Sequence, residues 1–200
     1  MANKLFRKTL TLFLLFIMFS ISFAEDDQNL ASFIVRNYDI AALPTAGNSE
    51  ADYTIIEFFD YRCGYCSKQA NDFQKLLDNS DNVKIIYMEW PIFGDISETA
   101  AKIALIVWQR NPNLYFEVHN QFMQLGPKMR KENIVDILNK IGLNGGAIFQ
   151  EATSQKSNEV IEENFKLAKN LGLRGTPASI VNDSIYPGYL KYKTLETLIK

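Results

Sequence analysis

The stretch from Tyr53 to Met88 constrains this chain more than any other. Tyr53 to Phe59 reads Tyr-Thr-Ile-Ile-Glu-Phe-Phe, rich in β-branched and aromatic residues, which is the pattern of a strand buried on both faces of a central sheet. A helical pattern follows directly after two cysteines. Cys66, Ala70, Phe73 and Leu77 recur at spacings of four, three and four, and Asp78-Asn79-Ser80-Asp81-Asn82 ends the run. Val83 to Met88 is a second apolar strand. Strand, helix and strand in this order form a βαβ unit, which demands two parallel strands with the helix packed across them.

Residues 96–171 then read as wholly helical. Ala100, Ile103, Ala104 and Val107 form one apolar stripe, stopped near Asn111-Pro112. Leu114, Val118, Phe122 and Leu125 form another, stopped by Gly126-Pro127. Ile134, Ile137, Leu138 and Ile141 form a third, ended by Gly142, and Ile161, Phe165, Ala168 and Leu171 a last one, ended by Gly172. Strand signals return at Ala178 to Val181, with a hairpin turn at Asn182-Asp183 and a partner at Ser184 to Tyr186. Residues 191–199 finish as a helix. The fold class is therefore α/β, a βαβ half and a ββα half separated by a helical insert.

Residues 1–24 differ from the rest. Lys4, Arg7 and Lys8 precede an apolar run from Leu10 to Phe23 that carries no charge. At about 14 residues the run falls short of the ~20 that span a bilayer. Ser22-Phe23-Ala24 offers small residues for cleavage, so the pattern predicts an export signal cut after Ala24. The mature chain has 18 Lys and Arg against 23 Asp and Glu, a net charge of −5. It lacks the basic face that nucleic acid requires. Within residues 25–50, Leu30, Phe33 and Ile34 line one side of a short helix, and Leu43 to Asn48 reads as a loop.

Cys63 and Cys66 are the two cysteines of the chain. Export places them in an oxidising compartment, yet a disulfide closing so short a loop adds little stability. Cys63 opens a helix, where unpaired N–H groups and the helix dipole stabilise a thiolate and lower its pKa below the free value of ~8.5. Cys66 lies one turn in. Cys63 is expected to attack and Cys66 to resolve the mixed disulfide, with Gly64 and Tyr65 tuning both. Half of a zinc site is the bland alternative. Such a site needs about four N/S ligands, and two Cys with His119, expected at a surface or boundary position, fall short. An inert disulfide is the other alternative. No cofactor or metal is called for.

Glu57 sits mid-strand, six residues before Cys63. A buried carboxyl there would have a raised pKa and could take the Cys66 proton; an edge-facing, solvated carboxyl fits the pattern as well. Pro177, in Arg174-Gly175-Thr176-Pro177, stands beside a strand, and a cis X–Pro turn would explain it.

Three motifs in this order, Glu57-Phe58-Phe59-Asp60-Tyr61, Cys63-Gly64-Tyr65-Cys66 and Gly175-Thr176-Pro177, resemble those of the bacterial periplasmic Dsb thioredoxin-like proteins over roughly residues 50–200. The resemblance implies a thioredoxin fold split between residues 51–95 and 172–200, with residues 96–171 as an inserted helical domain capping the active site. It implies a cis Thr176–Pro177 bond facing the disulfide, with the Thr176 backbone pairing to a substrate strand, and it favours Glu57 as the buried acid assisting Cys66. Gly64, Tyr65, Thr176 and Pro177 become substrate contacts. On size the reading favours a periplasmic donor of disulfides to exported proteins, reoxidised by a membrane quinone-linked DsbB-type partner. The alternatives are an isomerase or reductase for misfolded clients, kept reduced by a DsbD-type membrane reductant, and a chaperone or copper-handling module using the two thiolates as soft ligands. Oligomeric state stays open.

Overall fold

The computed structural model describes residues 29–39 and 42–200. The export signal expected at residues 1–24 lies outside the described residues. The elements run α1 (Leu30–Asn37), β1 (Thr45–Gly47), β2 (Tyr53–Phe59), α2 (Gly64–Asn79) and β3 (Val83–Glu89). Helices α3 (Asp95–Arg110), α4 (Pro112–Leu125), a 3-10 turn (Gly126–Lys128), α5 (Lys131–Lys140), α6 (Gly145–Ser154) and α7 (Glu159–Asn170) follow. The chain ends with β4 (Ala178–Val181), β5 (Ser184–Pro187) and α8 (Tyr192–Leu198).

One sheet holds all five strands in the order β1-β3-β2-β4-β5. β2 and β3 run parallel, from Tyr53 opposite Val83 to Phe59 opposite Glu89, as the βαβ pattern demands. The other three pairs are antiparallel. Because side chains alternate along a strand, β2 and β3 feed two cores. Ile55, Phe59, Ile85 and Tyr87 pack with Phe73 of α2 and with Ile103 and Phe122 of the helical segment. Ile56, Phe58, Ile86 and Met88 pack on the opposite side with Ala31 and Ile34 of α1 and Leu167 and Ala168 of α7. Glu57, between Ile55 and Phe59, therefore points to the α2 side.

Three expectations need correcting, and one helix inside the helical segment lacks a stripe of its own. Residues 45–47, read as loop, pair with β3 as an edge strand. So short a strand shows no alternation, and Gly47 takes φ +90 where a Cβ would meet the Val83 carbonyl at 2.2 Å. Helix α6 has no stripe of its own in the sequence reading, because it opens on Gly145-Gly146 and buries only Gly145, Phe149 and Ala152. The α2 stripe continues at Leu76, with Leu77 only partly covered. Phe33 and Phe165, both placed on apolar stripes, are 50% and 40% exposed. Tertiary packing turns the helices so that Ala31 and Ile34, and Asn164 and Leu167, face inward instead.

Asp60 ties the end of β2 to the neighbouring loop. Its carboxylate accepts from Arg62 N–H (2.7 Å), Ser97 Oγ (2.8 Å), Ile92 N–H (2.7 Å) and Phe93 N–H (2.9 Å). Arg62 Nη1 then donates to the Phe93 carbonyl at 2.8 Å. A second clasp joins α2 to the C-terminal segment, where the buried Gln69 amide exchanges two hydrogen bonds with the Leu190 backbone (2.7 and 3.1 Å). Asp60→Ala strands four donors at one site. It should lower unfolding free energy by about 2–4 kcal/mol in a urea titration, against about 1 kcal/mol for Ser97→Ala.

Candidate active site

The end of β2 delivers the chain to α2 through a tight turn in which Cys63 N–H donates to the Asp60 carbonyl at 3.0 Å. Cys63 is the N-cap of α2, in extended backbone geometry, and its Sγ accepts from the Cys66 N–H at 3.3 Å. The reactive sulfur thus takes the place that Ser, Thr or Asp usually fills at a helix start. On the far side of the sulfur, the thiol donates to the Thr176 carbonyl at 3.3 Å. Thr176–Pro177 is a cis peptide bond. Cys66 is buried, and both cysteines are free thiols here. The sequence-predicted residues Cys63, Cys66, Gly64, Tyr65, Thr176 and Pro177 all gather at this point.

Gly64 leaves the approach open, since a Cβ there would meet nothing within 4 Å. Tyr65 is 60% exposed. Its ring lies 6.4 Å from that of Tyr189, with the Lys68 ammonium 5.0 Å above it. The Tyr189 hydroxyl donates to Asp72, so one wall of the site is held through α2.

The two thiols ionise in opposite senses. The hydrogen bond with the Cys66 side chain lowers the Cys63 pKa from 9.0 to about 6; burial opposes this, while the backbone N–H groups of Cys66 and Tyr65 assist. Burial, and then the hydrogen bond to Cys63, push the Cys66 thiol far up. Glu57 is buried, and neither carboxyl oxygen has a partner among the described residues. Burial, and then the Cys63 charge, raise its pKa well above the usual carboxylate range. Glu57 in turn raises Cys66, so the carboxyl lies within electrostatic reach of both sulfurs. Of the two readings its position allowed, the buried one holds.

A second buried polar cluster escaped the sequence. Glu89 Oε1 accepts from the Tyr61 hydroxyl (2.9 Å) and the Tyr115 hydroxyl (3.3 Å), and Tyr61 OH lies 3.2 Å from His119 Nδ1. His119, expected at the surface or boundary, is 1% exposed. Its ring stacks on Tyr115, four residues earlier on the inner face of α4 (5.7 Å, 29°). Burial lowers its pKa to about 3, so it is neutral. Burial also raises Glu89 well above its usual range. The Tyr115/His119 spacing was the available signal; the apolar neighbours of His119 hid which way the ring turns. Among the described residues, no three of His, Cys, Asp and Glu group to hold a metal.

Fold and site together define a thioredoxin-like thiol–disulfide oxidoreductase. The DSBA-like thioredoxin domain model matches residues 54–200, and the chain belongs to that family. It is 22% identical over 171 residues to "Disulfide bond formation protein D" of Bacillus subtilis, covering 80% of this chain and 77% of that protein. Among solved structures it is similar to a thioredoxin-like oxidoreductase from Silicibacter pomeroyi (32% identity, TM-score 0.72), covering 79% of this chain and 90% of that one. It is also similar to the thiol-disulfide exchange protein alpha-DsbA2 from Wolbachia pipientis (28% identity, TM-score 0.73), covering 84% and 93%.

In the reduced protein, alkylation of Cys63 should follow a single ionisation at about 6, measured as the pH profile of iodoacetamide reaction in Cys66→Ser and wild type. The same depression links to stability. The folded thiolate contributes fully above the unfolded thiol pKa, and its contribution is lost as pH falls through about 6. Reduced wild type should therefore gain stability relative to Cys63→Ser between pH 6 and 9, read by urea titration across that range.

Proposed function

We propose that this protein donates disulfides to exported polypeptides in the periplasm, with Cys63 forming the mixed disulfide. The observation that carries this reading is the placing of two thiols three residues apart, Cys63 at the N-cap of α2 with its sulfur accepting the Cys66 N–H at 3.3 Å beside the cis Thr176–Pro177 bond, and Cys66 buried one turn in, which drives their ionisation in opposite senses. In the oxidised enzyme a client thiolate attacks Cys63 Sγ. A client–Cys63 bond forms, the Cys63–Cys66 bond breaks, and the electron pair goes to Cys66. That sulfur is basic and buried, so it takes a proton, and Glu57, a neutral acid on the same side of β2, supplies it. A second client thiolate then attacks the client sulfur of the mixed disulfide. The client disulfide forms and Cys63 leaves as a stable thiolate. Two electrons have passed to the enzyme, and a membrane quinone-linked partner of the DsbB type removes them.

Thr176, Pro177, Gly64 and Tyr65 line the approach of the client, with the Thr176 backbone offered to an extended strand. The segment 96–171 acts as the inserted domain that caps this approach, and residues 51–95 with 172–200 carry the chemistry. Cleavage after Ala24 releases the chain on the far side of the membrane. The printed names of the relatives, disulfide bond formation and thiol–disulfide exchange, support the reaction class.

Cys66→Ser should accumulate covalent adducts between Cys63 and client proteins, visible on non-reducing gels and dissolved by dithiothreitol. Glu57→Gln should slow the step that frees Cys66 by roughly 10²-fold in stopped flow. Acid quenching and thiol mass-tagging in cells fixes the direction: a pair held almost wholly oxidised supports the donor, whereas a pair held reduced sinks it in favour of an isomerase or reductase.

A further inference from the structure

We infer that the exchange centre has a second subsite, between Trp90, Phe165 and Arg174, that takes an acidic segment of the client polypeptide. The inference rests on the reading that a client forms a mixed disulfide with Cys63.

A cavity of about 530 Å³ lies along Arg174, Thr176, Pro177 and Pro187. Thr176, one of its lining residues, carries the carbonyl that lies 3.3 Å from Cys63 Sγ. A second cavity, of about 480 Å³, is lined by Trp90, Phe165, Lys166 and Lys169. The two share Gly172, Leu173 and Arg174 as a common wall. An extended chain held at Thr176 and crossing Arg174 therefore enters the second cavity.

The second cavity is built for one kind of chain. Its floor is aromatic: the Trp90 ring is buried, and Phe165 stands on it edge-on (6.2 Å, 75°) while remaining 40% exposed. Phe165 belongs to a helix whose inner face is already filled by Ile161, Asn164, Leu167 and Ala168, so its exposure is not required by packing. The wall is cationic. Lys166 is held by Glu163 at 2.6 Å, but Lys169 and Arg174 are exposed and form no ion pair among the described residues. These cations stand out in a mature chain whose net charge is −5. An acidic segment with apolar side chains satisfies both features, whereas a basic segment is repelled. The cations lie away from the sulfurs, so they favour encounter and binding and leave the bond exchange itself unchanged.

The test uses the oxidised mature protein and three reduced dithiol peptides that differ only in flanking residues, Glu, Gln or Lys. Wild type should oxidise the Glu peptide with a kcat/KM about fivefold above the Gln peptide, the scale that two exposed ion pairs supply, with the Lys peptide slowest and the difference carried by KM. Lys169→Glu with Arg174→Glu should reverse the order of the Glu and Lys peptides; Lys169→Gln with Arg174→Gln should level all three. Equal handling of the Glu and Gln peptides by wild type, or a Glu preference that survives charge reversal, overturns the subsite while the exchange reading stands. Failure of wild type to oxidise any of the peptides overturns both.

Discussion

The sulfur of Cys63 caps the helix that activates it. One 3.3 Å contact from the Cys66 N–H closes the first turn of α2 and holds the sulfur at the positive end of the helix. The placement of both sulfurs depends on that contact. It keeps Cys63 in extended geometry, so the chain can turn from β2 into α2 without a break. It also puts Cys66 one turn further in, beneath the surface. The capping contact thus adds to the larger lowering that the Cys66 side chain supplies, and a change that loosens the helix start weakens both cap and thiolate.

The contrast between the two thiols comes from depth. Cys63 meets donors at the rim, while Cys66 meets the apolar side of β2, where burial penalises its charge. Glu57 shares that environment, and burial raises its pKa for the same reason. A carboxyl without partners is costly in a core. Its place beside the thiol that must gain or lose a proton gives that cost a chemical purpose. Glu89, by contrast, is held by two tyrosines and braces the contact between sheet and helices under the site.

The rim is positioned from several directions at once. Asp60 holds the loop bearing Ile92 and Phe93, Gln69 holds the backbone at Leu190, and Asp72 holds Tyr189. These side chains sit on the turn or the helix that presents the cysteines. The site is therefore a product of β2 and α2, with the remaining loops fastened to them.

Much of this was readable in one dimension, because alternation along β2, helical spacing after Cys66 and the turn residues report local physics. The α/β class, the parallel β2–β3 pair and the identity of the redox cysteines follow from that pattern alone. The direction in which a side chain turns does not. His119 lies in a helix whose apolar neighbours fit an exposed ring as well as a buried one, and only contact with Tyr61 and Tyr115 settles it. Glu57 could face core or solvent until β2 is flanked by β3 and β4 and covered by α2. Phe165 could have been core until Leu167 and Asn164 took the inner face. By itself the sequence determined most of the elements, the edge strand β1 excepted, and where the cysteines fall, since those depend on neighbours a few residues apart. The tertiary structure alone decided which polar groups are buried, and hence how Cys63, Cys66 and Glu57 ionise, since burial depends on residues brought together from across the whole chain.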